Sequence, residues 1–258
     1  MTTPSHLDRV RYAFTQQADS FDAYAGKADI KVEDRFRGAL GAAGAGDLLD
    51  IACGPGVVTA AAAKDALSII GLDATEAMLE KARARAATGG LSNTTFQVGD
   101  AENLPFAADQ FDGVVTRLAL HHFTNPGTAL NEIFRVLRPG GRLVAVDVTA
   151  SEEPEKAELQ NAIEILRDPS HVRMLPATEI NGLVAAAGFQ NAQTGSWFKP
   201  REFEEWMGIV NDPTRLDPLR VVVRILAEDG RDAGIGLRME EGKMVFFHRW
   251  HLIAADKP

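Results

Sequence analysis

One glycine turn and one carboxylate beyond it carry most of the chemical meaning of this chain. Residues Leu48 to Gly56 read LLDIACGPG: an apolar run with Asp50 inside it, which breaks into Cys53-Gly54-Pro55-Gly56. Gly54 and Gly56 lack a Cβ, so the backbone can turn sharply and a ligand can lie against it. Asp73 follows Gly54 by nineteen residues and ends a second apolar run, Leu67 to Leu72. An acidic side chain at that spacing after a glycine turn is placed to accept hydrogen bonds from ribose hydroxyls. A nucleoside-containing cofactor is the first reading. Position 59 is Thr, not the third glycine of a dinucleotide fingerprint. A helix packed on a pyrophosphate needs that glycine, and a cofactor without phosphates does not.

Other reactive side chains are weaker signals. Cys53 falls inside the glycine turn with no base at a diagnostic spacing, so a structural role is expected. His121-His122 invites a metal reading, but adjacent residues point apart in a strand or helix, and no metal is expected. Either histidine could serve as a base or contact a substrate, with packing as the alternative. Asp168-Pro169-Ser170-His171-Val172-Arg173 offers a base, His171, and a cation, Arg173, in what otherwise reads as a loop. Trp197, Phe198, Phe246, Phe247, His248 and Trp250 read as core or as an aromatic pocket.

The elements that must position these groups alternate. Helices are expected over 6–25 and 29–40, then strand 47–52, helix 57–64, strand 68–73, helix 75–88 and strand 94–98. Strand 111–118, helix 126–137 ended by Pro139-Gly140-Gly141, and strand 142–148 follow. Residues 151–177 read as an inserted helix and loop. Helix 178–187, strand 192–196, two short helices in 200–227 split at Asn211-Asp212-Pro213, and a final strand 243–254 complete the pattern. Such alternation predicts a parallel sheet covered on both faces. The ligand site of an open sheet of this kind lies at the carboxyl ends of its strands.

Composition narrows the function classes. The chain has 258 residues, a net charge of −9 and a single cysteine. A nucleic-acid partner is not expected without a basic footprint. One cysteine excludes an intrachain disulfide and a thiolate metal cluster. No apolar run reaches the roughly 20 residues of a membrane span, and MTTPSHLDRV lacks the apolar core of a signal peptide. A cytoplasmic setting is expected, with a homodimer left open.

LLDIACGPG, GLDATEAMLEKA (71–82), GDAENLPFAADQFDGV (99–114), LALHHF (118–123) and RVLRPGGRLVAVD (135–147) occur in order. Together they resemble class I S-adenosylmethionine-dependent methyltransferases, and within that class the ubiquinone and menaquinone C-methyltransferase-like small-molecule group. The resemblance implies an α/β fold: a Rossmann-like, doubly wound, seven-stranded sheet, mostly parallel with an antiparallel last strand, plus N-terminal helices and helical lid insertions. It implies one methyltransferase domain over 1–258. Residues 1–45 would cap it, 46–150 would bind cofactor, 151–177 and 200–227 would be substrate-side insertions, and 178–199 and 243–258 would end the sheet.

The resemblance also implies roles. Gly54 and Gly56 would pass beside the methionine moiety and Asp50 would meet its amino group. Asp73 would hold the ribose. Ala74 and Met78 would flank the adenine, with Asp100 and the Ala101 N–H on its edge. Thr116 and Arg117 would lie near the reacting methyl. His122 and His171 are the candidate bases, and Phe14, Tyr24 and Arg173 the candidate substrate contacts. The expected reaction is methyl transfer from S-adenosyl-L-methionine to carbon, oxygen or nitrogen of a small-molecule acceptor, leaving S-adenosyl-L-homocysteine. The alternative is a protein that keeps the cofactor site for other chemistry or for sensing.

Overall fold

The computed structural model describes residues 4–25, 30–210 and 212–258. The expected helix start at residue 29, and Asn211, lie outside the described residues. In chain order the strands are β1 (Asp47–Ile51), β2 (Ser68–Asp73), β3 (Thr94–Val98), β4 (Phe111–Arg117), β5 (Leu137–Thr149), β6 (Gln190–Glu202), β7 (Arg238–Glu240) and β8 (Lys243–Asp256). The helices are α1 (His6–Ala25), α2 (Ile30–Leu40), α3 (Val57–Ala62), α4 (Glu76–Thr88), α5 (Pro126–Val136), α6 (Pro154–Arg167), α7 (Ala177–Ala186), α8 (Phe203–Met207) and α9 (Pro213–Glu228). Among the described residues no helix is long and apolar enough to cross a membrane.

Seven strands follow the order β3-β2-β1-β4-β5-β8-β6, with β7 paired to β8 off that path. Strands β1 to β5 pair in parallel, and β8 runs antiparallel between β5 and β6. The antiparallel strand is last in sequence but is not the sheet edge. Successive side chains point to opposite faces: Val114 joins Leu49, Ile133 and Val184 on one face, while Val115 joins Leu40, Val58 and Val146 on the other. Burial on both faces is why the strands read as continuous apolar runs. A third cluster, with Ile163, Trp206, Leu219 and Phe246, unites α6, α8 and α9 with the start of β8.

Two boundaries depart from the sequence reading. Strand β5 starts at Leu137, because Leu137 pairs with Phe111 and a register shift then absorbs Pro139-Gly140-Gly141. Strand β6 extends to Glu202 through Pro200, opposite Phe247. It is the edge strand, where proline's missing N–H costs no ladder bond. The short β7 was not anticipated. Its turn, Glu241-Gly242, has φ of 50° and 79°, the positive values of a tight hairpin turn.

The strand order reverses between β1 and β4, which opens a crevice at their carboxyl ends. The residues just past those ends, Ala52 and Leu118, have φ of 53° and 54°. Left-handed backbone at a non-glycine residue costs of order 1 kcal/mol and clusters at ligand sites.

Candidate functional site

A cavity of about 1170 Å³, counting its open mouth, lies over the crevice. Asp50, Gly54, Asp73, Ala74, Met78, Asp100, Ala101 and Arg117 line it. Helix α1 roofs it with His6, Val10, Phe14 and Phe21. Asp73 Oδ2 accepts from the Gly54 N–H at 2.8 Å and Oδ1 from the Thr75 N–H at 2.9 Å. The carboxylate thus fixes the glycine turn and, with about four lone-pair sites, keeps capacity for a ligand. Burial holds its pKa above the ordinary carboxylate value against these bonds.

Asp50 is 1% exposed and accepts from Thr59 Oγ1 at 2.6 Å. Burial raises its pKa to about 7, and hydrogen bonding from Thr59 does not offset the desolvation. A cationic group nearby would restore its charge. Asp100 Oδ1 accepts from the Glu102 N–H at 2.9 Å, so its side chain caps a turn at the cavity edge. Burial pushes the Cys53 thiol up, which leaves no reactive thiolate.

Three of the expected site positions do not line either cavity. Gly56 does not line the cavity. A Cβ there would come within 2.9 Å of Ala82 Cβ, and φ is 76°, so the glycine serves the turn and the close approach of α3 to α4. Thr116 points away from the cavity into the core, as strand alternation dictates once Arg117 faces the ligand side. Arg173 lies on the surface, its side chain 49% exposed and paired with Glu179, outside both cavities. The loop before it turns inward only as far as His171.

A second chamber adjoins the first. Phe14, Phe21, Leu118 and His122 border both. Tyr24, His121, Arg167, His171, Arg201 and Trp250 complete its walls. His121 and His122 do not point apart, because residues 120–122 form a tight turn and not a strand. Their ring centroids are 4.2 Å apart, and the His171 ring lies 4.5 Å from His121, tilted, and 4.6 Å from His122, edge-on. Each ring offers a nitrogen, these atoms lying within 4.8 Å of one another.

The three imidazoles differ in basicity. His122 Nδ1 donates to the Ser170 carbonyl at 2.9 Å, but burial and neighbouring His121 lower its pKa to about 4. Burial also holds His171 well below its ordinary value, with Nδ1 buried, unbonded and 3.9 Å from Glu164 Oε2. His121 is different. Its Nδ1 donates to Asp147 Oδ1 at 2.5 Å, and that carboxylate raises its pKa against desolvation. The strongest base of the trio is therefore His121, not His122 or His171. Asp147 interrupts the apolar run near the end of β5, as Asp73 ends that of β2, which is the signal that could have found it.

Helix α1 is held by polar latches. His6 Nε2 donates to the His122 carbonyl at 2.9 Å, Ser20 Oγ to the Ile209 carbonyl at 2.8 Å, and Asp19 and Asp22 pair with Lys81 and Arg85, each at 2.5 Å. The expected aromatic pocket is divided: Trp250 and His248 face the second chamber, while Phe198 is 61% exposed.

A model of the methyltransferase domain family matches residues 44–201. The uncharacterized methyltransferase YcgJ of Bacillus subtilis is 38% identical over 160 residues, 62% of this chain and 63% of that protein. The alignment thus spans a little under two thirds of that relative. A demethylmenaquinone methyltransferase of Symbiobacterium thermophilum is 39% identical over 107 residues, 40% of this chain and 42% of that protein. Among solved structures, the YcgJ protein from Bacillus subtilis matches with a TM-score of 0.81 at 29% identity, covering 89% of this chain and 99% of that one. A putative methyltransferase from Bacillus halodurans matches with a TM-score of 0.81 at 28% identity, covering 88% and 98%. Fold, crevice and matches agree: the chain belongs to the methyltransferase domain family.

Proposed function

We propose that the first cavity holds S-adenosyl-L-methionine, that the second holds a small-molecule acceptor, and that the methyl passes between them beside His122 and Leu118. The observation that carries this reading is the wall shared by the two spaces. One side of it presents the carboxylates Asp50, Asp73 and Asp100, and the other a histidine cluster. Asp73 suits ribose hydroxyls, Asp50 a cationic amino group, and Asp100 and the Ala101 N–H the edge of an adenine, with Ala74 and Met78 against its faces.

When bound, the sulfonium supplies a methyl that is already activated. The residues of this chain have to align the acceptor with it, exclude water and receive a proton where the acceptor carries one. With its Nδ1–H held by Asp147, His121 has Nε2 as its basic atom. His122, neutral above about pH 4, suits contact and positioning better than proton removal. Helix α1, roofing both spaces through short polar latches, acts as the lid that closes after cofactor entry.

The test is incubation with methyl-labelled S-adenosyl-L-methionine and a library of phenols, amines, carboxylates and activated-carbon acceptors. Label is expected in one acceptor class. Hydrogen exchange with and without S-adenosyl-L-homocysteine is expected to show protection across 6–25. Tight cofactor binding with no label in any acceptor class would favour the sensing or other-chemistry reading.

A further inference from the structure

A buried cation in the second chamber lacks its anion. Arg201 sits near the end of β6, opposite Phe246, and is 6% exposed. Its Nη1 donates to the Tyr24 hydroxyl, and its Cζ lies 4.9 Å from the centre of the Tyr24 ring. Its Nε and Nη2 are buried and have no hydrogen-bond partner. Among the described residues no carboxylate lies within the 4.0 Å of a salt bridge to Arg201, whereas Arg167 in the same chamber has Glu164 at 3.4 Å.

The two unmet atoms are not an arbitrary pair. Nε and Nη2 form the side-on edge of a guanidinium, whose parallel N–H bonds match the two oxygens of a carboxylate. The same chain uses that edge in this way twice: Arg37 grips Asp65 at 2.6 and 2.9 Å, and Arg135 grips Glu132 at 2.7 and 2.7 Å. The acidic groups of the chamber are already engaged. Glu164 accepts from Arg167 and His248, and Asp168 accepts from the Ser170 N–H and Oγ. Burying charged donors without an acceptor is costly, so such an edge calls for an acceptor, which a bound ligand can supply.

We infer that the second chamber selects an acceptor bearing a carboxylate, which the Nε/Nη2 edge of Arg201 grips side-on while Tyr24 steadies the opposite side of the guanidinium. This rests on the reading of that chamber as the acceptor pocket. A phosphate fits less well, since a dianion would call for a second cation free of an acid, and Arg167 already lies 3.4 Å from Glu164 and 4.3 Å from the Trp206 ring, with only its Nε unpartnered. The chamber's aromatic walls, Phe14, Phe21, Trp206 and Trp250, suit an apolar body behind the charged group.

The experiment uses the full chain saturated with S-adenosyl-L-homocysteine and two matched probe pairs, benzoate with benzamide and butyrate with butyramide, titrated by calorimetry. Within at least one pair the carboxylate is expected to bind about 10- to 100-fold more tightly than the amide. Arg201→Gln should erase that preference, and Arg201→Lys should retain only part of it, keeping the charge without the fork. Cofactor-product affinity, measured first on every variant, should be unchanged, because Arg201 does not line the first cavity. A wild-type protein that binds S-adenosyl-L-homocysteine but shows no carboxylate preference in either pair overturns the inference and leaves the cofactor reading standing. So does a preference that survives in Arg201→Gln. Failure of the wild type to bind S-adenosyl-L-homocysteine overturns the cofactor reading itself.

Discussion

His121 Nδ1 donates to Asp147 Oδ1 across 2.5 Å, with both side chains buried, and the Asp147 carboxylate also accepts the His121 N–H at 3.2 Å. The pair fixes one tautomer and raises the histidine's pKa, while the neighbouring rings of His122 and His171 are lowered. Asp147→Asn is expected to reduce turnover by roughly 10- to 1000-fold with little change in cofactor affinity. With neutral His121 as the proposed base, activity is expected to rise as pH climbs through its pKa. Loss of the Asp147 charge lowers that pKa, which moves the acidic limb of the kcat/KM profile to lower pH. An acidic limb in the same place in both proteins would remove His121 from the mechanism.

Asp50 is expected to link cofactor binding to stability. Its carboxyl has a folded-state pKa of about 7, raised from 3.8. Its contribution is fully present below the unfolded value, fades as pH rises through the interval, and is lost above about 7. On this group's account the free protein should therefore be less stable at pH about 8 than at pH about 6, by about 1.4 kcal/mol, and melt lower. S-adenosyl-L-homocysteine, through its amino group, should narrow the difference. Asp50→Asn should stabilise the free protein at pH about 8 and weaken product binding. Scanning calorimetry at both pH values checks this, and a variant that loses neither stability gap nor affinity would contradict it.

Asp73→Ala is expected to weaken S-adenosyl-L-methionine binding by about 10- to 100-fold, through loss of charge-assisted bonds. Calorimetry on the folded variant reads this directly. Unchanged affinity would leave Asp73 only its bonds to Gly54 and Thr75.

Gly56→Ala should lower stability by about 1–3 kcal/mol, because the new Cβ meets Ala82 and the backbone is left-handed. The melting temperature should fall while cofactor affinity in the folded fraction stays near wild type. Gly54→Ala meets only Phe21 Cε1 at 3.8 Å, but its φ of 52° is also left-handed, so its stability cost should be backbone strain alone, about 1 kcal/mol, beside any loss in binding.

Methyl transfer should survive chelator treatment, since a sulfonium needs no Lewis acid. The His121–His122–His171 cluster makes this a real test. Complete loss of turnover that one added divalent ion restores would assign those rings to a metal.

The sequence alone determined what depends on short-range pattern. Apolar runs followed by glycine or acid, LLDIACGPG and SIIGLD, specify buried strands whose ends carry Asp50 and Asp73, and periodicity places the helices between them. Those features are local, so they survive in one dimension. The partner-dependent features do not. The length of β6 through Pro200 comes from its pairing with β8, and the convergence of His171 on His121 comes from a loop that folds back across about fifty residues. Asp147 and His121 are 26 positions apart, and Tyr24 and Arg201 are 177 apart. Only packing decides which of three histidines is basic, because desolvation and one carboxylate shift them in opposite directions. Likewise Arg173 and Arg201 are the same residue type in sequence. The fold gives one a surface carboxylate and leaves the other buried with its side-on edge unmet.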